Sequence, residues 1–331
     1  MTKLKFGAWI PTYAWSDVKS GSKNVKRIRA SIEKCEDHGI DVWVIDHLLT
    51  APGLYGNAWL EPLNALAFAA ALTRKVKIAT GILVLPVRHP VVLAKEIATL
   101  CHLSDNRYIF GVGPGWYARE YEVTGSRIEE RGRRTDEIIE AVTRLLTKPN
   151  ASYQGKYYQF NDVTIEPRPP KMPAIWVSGG SRAPDPTDHD VPVIAPTVMD
   201  RIVKAGNWLS RCSGTQEWVK RDWLQLQQHS RSMGSDPRNL TFGHCNFIHL
   251  VDTVSHEKAV AQSKAPFLRV MGTHRSYEHL QECYMIGNID RINTRIDDLR
   301  KAGLQYLVLG PVTDDPGQID LMANKVVKYF T

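Results

Sequence analysis

Short apolar runs alternate with longer amphipathic stretches along the whole of the 331-residue chain. Lys5–Ile10, Asp41–Ile45, Val76–Thr80 and Tyr108–Phe110 are short and mainly apolar, the pattern of strands covered on both faces in a parallel sheet. Ala174–Val177, Asn207–Leu209, Leu240–Val251 and Leu304–Leu309 read the same way. Between them the period changes to that of a helix. In Ser22–His38, Val25, Ile28, Ile32 and Cys35 fall near one face, and Gly39 supplies the stop. Glu61–Thr73 is an Ala- and Leu-rich helix, Val91–Leu103 opens after Pro90, and Ile128–Leu146 is long, charged and amphipathic. Met199–Lys204 leads into a strand, Thr215–Met233 and Ile289–Ala302 are helical, and Ile319–Tyr329 closes the chain.

Such regular alternation predicts an α/β fold: a (β/α)8 TIM barrel with insertions at its C-terminal face, in preference to an open doubly wound sheet. No linker, repeat or low-complexity stretch divides the chain, so residues 1–331 are expected to form a single domain. The polar and glycine positions gather at strand ends: Asp46-His47, Thr80-Gly81, Gly111–Trp116, Ser178–Ser181 and Asn207. In a barrel these ends share one face, where active sites lie.

The stretch Tyr108–Gly125 carries the most information. Gly111, Gly113 and Gly115 follow an apolar strand at alternate positions, as a backbone needs where it must turn sharply or approach something closely. The spacing is G-x-G-x-G rather than the dinucleotide fingerprint, and no acidic ribose partner follows it. Trp116 and Glu120 stand at the start of the next helix; Glu120 and Arg131 are expected to pair across the helix junction.

Composition narrows the choices. With 43% apolar and 9% aromatic residues there is material for one extensive core. No apolar run approaches the roughly 18 residues of a membrane span, and Met1–Phe6 enters a strand without the apolar region of a signal peptide. Five scattered cysteines without C-x-x-C spacing argue against a zinc site or a disulfide framework and suit reduced thiols in a cytoplasm. His244-Cys245 and Cys101-His102 are adjacent pairs whose side chains diverge, so no metal is expected there. The net charge of +7 is spread along the chain; it suits a small anionic cofactor as well as nucleic acid, and no nucleic-acid partner is expected.

The order and spacing of these segments resemble the bacterial luciferase-like monooxygenases and their deazaflavin F420-dependent relatives. Val44-Ile45-Asp46-His47 resembles that family's strand end, and Gly81–Leu100 its third strand and the following helix. Gly111–Trp116 with Glu120 and Gly125 is similar to its glycine-rich turn. Glu130–Glu137, Gly155, Ile175–Ser181, Ala205–Trp208 and Ala302–Gly310 follow in the family's order. Asp105-Asn106 stands where the family carries Gly-Gly.

The resemblance implies a two-component monooxygenase using reduced FMN and O2 on a small organic substrate, supplied by a separate flavin reductase. F420-dependent hydride transfer, with an F420 reductase, is the alternative, and a non-catalytic flavin-binding protein a second one. It also implies a homodimer. Thr80, Gly81, Ile82, Gly113 and Gly115 would hold the ring, with a non-proline cis bond at Ile82, and Ser178, Gly179, Gly180 and Ser181 the phosphate. Asp46 and His47 are the candidate catalytic pair, and Trp9, Trp59 and Trp116 the candidate walls of the substrate pocket.

Overall fold

Each of the eight apolar runs becomes a strand, because a run covered on both faces has to lie between a filled interior and an outer layer of helices. The computed structural model describes residues 3–51, 53, 55–182 and 193–331. Most of the proline-rich segment after the fifth strand, 183–192, therefore lies outside the described residues. Among the described residues, Lys5–Trp9, Asp41–Val44, Ile78–Thr80, Tyr108–Gly113, Ala174–Gly179, Asn207–Ser210, Thr241–Ile248 and Tyr306–Pro311 pair in parallel in chain order. The third and fourth pair at Ile78↔Tyr108, and the ring shuts where Lys5 meets Tyr306. This is the closed (β/α)8 barrel expected.

The interior is filled by aromatic rings. Trp43, Trp176 and Tyr306 pack edge to face with centroids 5.2–6.0 Å apart, and Trp43 Nε1 donates to the Tyr306 hydroxyl at 3.0 Å. Room for the indoles comes from facing glycines: a Cβ on Gly7 or Gly243 would lie 2.4 Å from the Trp43 or Trp176 ring. Burying one such indole contributes about 5 kcal/mol before entropy is counted.

Outside the barrel, Ile28, Ile32 and Cys35 of the helix Gly21–His38 are buried as their spacing predicts, but Val25 is 41% exposed. Gly39 ends that helix at φ 67°. The expected helix from Ile128 begins as a 3-10 turn, Ile128–Glu130, and becomes α-helical over Arg131–Thr147. Asp105 and Asn106 take φ of 50° and 58°, the conformation glycine adopts freely and these two residues tolerate best after it.

Three elements were not visible in the pattern. Ala151–Gln154 and Gln159–Val163 form a small antiparallel hairpin, and His256–Met271 and Tyr277–Cys283 are helices between the seventh and eighth strands. Pro266 lies within the first of these helices, where it reads as a breaker. Among the described residues no helix is long and apolar enough to cross a membrane.

Candidate active site

The second strand ends at Val44, which delivers Asp46 and His47 to the carboxyl end of the barrel. The glycine turn after the fourth strand starts a short helix, Ala118–Val123, which brings Glu120 to the same place. His47 Nδ1 lies 3.0 Å from Glu120 Oε1, and the two side chains are only 5% and 1% exposed. Glu120 Oε1 also accepts the backbone N–H groups of Leu48 at 2.8 Å and Leu49 at 3.2 Å. Burial pushes the Glu120 carboxyl up, but His47 and the two amides outweigh it, and the net shift is downward. A carboxylate held ionised against Nδ1 places a proton on that nitrogen. Nε2 is left without a hydrogen-bond partner among the described residues. The expected pairing of Glu120 with Arg131 is not formed, since Arg131 Nη1 donates to the Ile128 carbonyl at 2.8 Å.

Asp46 is placed differently from its neighbour. Its carboxylate accepts the Val84 N–H at 2.8 Å and Arg88 Nη2 at 3.0–3.1 Å, and Arg88 also reaches Glu61 at 3.1 Å. Burial raises its pKa, and Arg88 and the Val84 amide offset only part of this. Asp46 thus braces the short strand Leu83–Val84 against the second-strand end.

Aromatic rings enclose His47. Trp59, Tyr55 and Trp116 lie with centroids 4.6, 5.5 and 5.6 Å from the imidazole. Trp116 is 44% exposed and forms the outer wall. Trp9 is instead a floor, 2% exposed and packed on Phe247 at 4.8 Å. The indole N–H groups of Trp9 and Trp59 are buried without hydrogen-bond partners among the described residues.

The proposed ring-binding positions separate into two kinds. Gly81–Ile82 is a cis peptide, and the Ile82 side chain is half-buried at the mouth. Gly113 and Gly115 leave space for Ile82 and Val84, whose side chains a Cβ would meet at 2.6 Å. Thr80 is fully buried and donates its hydroxyl to the Gly111 carbonyl at 2.8 Å. At the fifth-strand end, Ser178 and Gly180 are half-buried. Gly179 turns its missing side chain toward Val198 of the helix Pro196–Ala205, which a Cβ would meet at 2.4 Å. Ser181 is committed elsewhere: its N–H and hydroxyl both donate to the Asp222 carboxylate at 2.6 Å.

Sequence reasoning missed the His47–Glu120 contact and the part played by Tyr55. The signal for Glu120 was an acid one turn after Trp116, with nothing local to say which partner it meets.

A closed parallel barrel with a buried acid–base pair inside an aromatic cleft at its carboxyl end is the arrangement of a barrel enzyme. The chain belongs to the family of luciferase-like monooxygenases, whose sequence profile matches residues 4–184. It is 28% identical over 190 residues to the FMNH2-dependent dimethylsulfone monooxygenase of Pseudomonas putida, covering 54% of this chain and 52% of that protein. It is 35% identical over 156 residues to the F420-dependent glucose-6-phosphate dehydrogenase of Amycolatopsis mediterranei, covering 44% of this chain and 45% of that one. The matches thus span about half the length of these two relatives. Among solved structures, the monooxygenase RslO1 from Streptomyces bottropensis superposes with a TM-score of 0.80 over 99% of this chain and 100% of that chain, at 20% identity. Relatives in the family include named monooxygenases and F420-dependent dehydrogenases.

Proposed function

We propose that this enzyme transfers hydride between a small hydroxylated or carbonyl substrate and the deazaflavin cofactor F420, with His47 as the acid–base group and Glu120 as its positioning partner. One observation carries this reading. Nδ1 of His47 is held by an ionised, buried carboxylate while Nε2 has no hydrogen-bond partner among the described residues, which is how a base is readied to take a hydroxyl proton as hydride leaves the adjoining carbon.

The mouth fits a planar ring at one end. The buried indole N–H groups of Trp9 and Trp59, unpartnered among the described residues, the half-buried Ile82 and the Gly81–Ile82 step would hold it. Toward the phosphate, Ser178 and the Gly180 backbone would serve, because the donors of Ser181 are spent on Asp222. When bound, F420 supplies a hydride acceptor and donor. Trp59, Tyr55 and Trp116 keep water from the imidazole, and Glu120 stabilises positive charge on His47 once the proton arrives. Asp46 acts through the backbone it braces.

Reduced FMN and oxygen insertion form the second reading, supported by the sequence identity with the dimethylsulfone monooxygenase. In that case a separate flavin reductase supplies the cofactor, as an F420 reductase would for the first. We propose, from the family resemblance, that the chain works as a homodimer in either case.

Anaerobic titration of the protein with F420, FMNH2 and oxidised FMN, followed by absorbance and fluorescence, tests the choice. The expected result is at least about tenfold tighter binding of F420, or about 1.4 kcal/mol. A tenfold preference for FMNH2 overturns it and moves the assignment to the monooxygenase.

A further inference from the structure

One guanidinium ties together three separate parts of the cleft. Arg88 follows the 3-10 turn Leu85–Val87 and precedes the helix Pro90–Leu103, and its side chain is 18% exposed. Nη2 donates to both oxygens of Asp46 at 3.0–3.1 Å, and Nη1 donates to Glu61 Oε1 at 3.1 Å. Asp46 is the chain neighbour of His47 and accepts the Val84 N–H at 2.8 Å. Glu61 lies two residues after Trp59, whose ring centroid is 4.6 Å from that of the imidazole. Its second oxygen, Oε2, caps the helix Pro62–Leu72 by accepting the Asn64 N–H at 2.7 Å. Arg88 therefore bridges the strand end that carries His47, the short strand Leu83–Val84 beside Ile82, and the connection that carries Trp59.

The other anchors of that connection run elsewhere. Asn57 exchanges two hydrogen bonds with the Trp15 backbone, at 2.9 and 2.6 Å. The Leu60 N–H donates to the Thr12 carbonyl at 3.3 Å, and the Gly56 N–H to the Val270 carbonyl at 2.6 Å. Among the described residues, the hydrogen bonds that join residues 55–61 to the second- and third-strand ends all pass through Arg88. Burial disfavours the Arg88 charge, but Asp46 and Glu61 outweigh it and hold the guanidinium charged. Nε is buried with no hydrogen-bond partner among the described residues, so one donor is given up while both Nη groups reach carboxylates on different elements. A planar fork can span two carboxylates in this way, whereas a lysine is a single point of charge.

We infer that Arg88 is a positioning residue of the active site: by clamping Asp46 to Glu61 it sets the gap between Trp59 and His47 in which the substrate meets the cofactor ring. This rests on the reading of the aromatic cleft as the active site. A brace that only adds stability is the competing role, so the test reads the place of Trp59 as well as the thermal midpoint.

An indole packed on an imidazole displaces the NMR shifts of the imidazole ring protons. These shifts are recorded for His47, assigned by their loss in His47→Ala, in the cofactor-free parent, Arg88→Met, Arg88→Lys and Glu61→Ser. Serine keeps a cap on the helix and is too short to meet Arg88. Trp59→Leu supplies the signal of a cleft without its indole wall. Arg88→Met and Glu61→Ser are expected to move the His47 signals toward those of Trp59→Leu, and Arg88→Lys to move them less. Whichever of F420 and FMN the parent binds should bind at least about tenfold more weakly to Arg88→Met and Glu61→Ser. A lowered thermal midpoint with the His47 signals in their parental places makes Arg88 a brace and overturns the proposal. Moved signals with parental cofactor affinity overturn it as well. If Arg88→Met fails to fold, Glu61→Ser decides, because the Glu61 side chain is 40% exposed and its loss leaves the Asp46–Arg88 pair in place. The NMR reading needs neither turnover nor cofactor, so a preference for FMNH2 over F420, which overturns the hydride-transfer reading, leaves this result standing.

Discussion

Glu120 decides what His47 can do. A lone imidazole in an aromatic cleft has two interchangeable tautomers, and its ring is free to turn. With an ionised carboxylate 3.0 Å from Nδ1, one tautomer and one orientation are selected. Glu120→Gln keeps the size of the side chain and removes its charge. Turnover is expected to fall by about 10²-fold, and in His47→Ala by about 10²–10⁴-fold. The two losses should not add in the double variant, because the residues act as a unit. Nitrogen-resolved NMR of the imidazole provides a reading that needs no substrate. A protonated Nδ1 is expected in the parent and a mixture of tautomers in Glu120→Gln. An unchanged spectrum with parental turnover would remove Glu120 from the mechanism.

At the scale of elements, the glycines after the fourth strand serve the barrel wall before they serve a ligand. A Cβ on Gly111 would lie 1.9 Å from the Thr80 carbonyl oxygen, and Thr80 in turn donates its hydroxyl to the Gly111 carbonyl. That obstacle is backbone and cannot step aside. Gly111→Ala should therefore force the third and fourth strands apart and cost more than about 3 kcal/mol, the range of severe core disruption. Gly21, at the start of the first helix, has nothing among the described residues within 4 Å of its would-be Cβ. Gly21→Ala should stay within about 0.5 kcal/mol of the parent. Urea unfolding of both variants checks the contrast, and equal losses would contradict it. The Gly179 contact with Val198 carries a related lesson: a larger residue there disturbs a helix, whatever it does to a phosphate.

For the whole molecule, His244 links stability to pH. It lies on the seventh strand, 2% exposed, with Nδ1 2.5 Å from Ser210 Oγ and Nε2 3.1 Å from Asn246 Nδ2. The Asn246 amide donates to Nε2 and to the Cys283 carbonyl, so the ring is neutral and protonated at Nδ1. Burial, with some help from Arg295, pushes its pKa from 6.5 down to about 3. The unfolded chain thus binds a proton that the native one refuses. Stability from this group is complete above about pH 6.5 and is lost as pH falls toward 3. Asp46 and Asp222, raised by burial, act in the opposite sense at the acid end, so the comparison must be with a variant. His244→Gln should show a shallower fall in stability between pH 7 and 5, measured by denaturant unfolding. Parallel curves for the two proteins would rule His244 out as the source.

The sequence by itself determined the barrel, its eight strands in order and the face on which the polar strand ends meet. These depend on local hydrophobic period and on turn residues, which act over a few positions of the chain. It also pointed to His47, the Gly81–Ile82 step and the aromatic walls Trp59 and Trp116, because polar or bulky residues at apolar strand ends are locally conspicuous. Only the tertiary structure decided which groups touch. Glu120 reached His47, 73 positions away, rather than Arg131; Ser181 gave its donors to Asp222, 41 positions on; and Trp9 became floor rather than wall. Partner choice across a barrel depends on register, ring packing and the helix that delivers each side chain, and no local period encodes these distances.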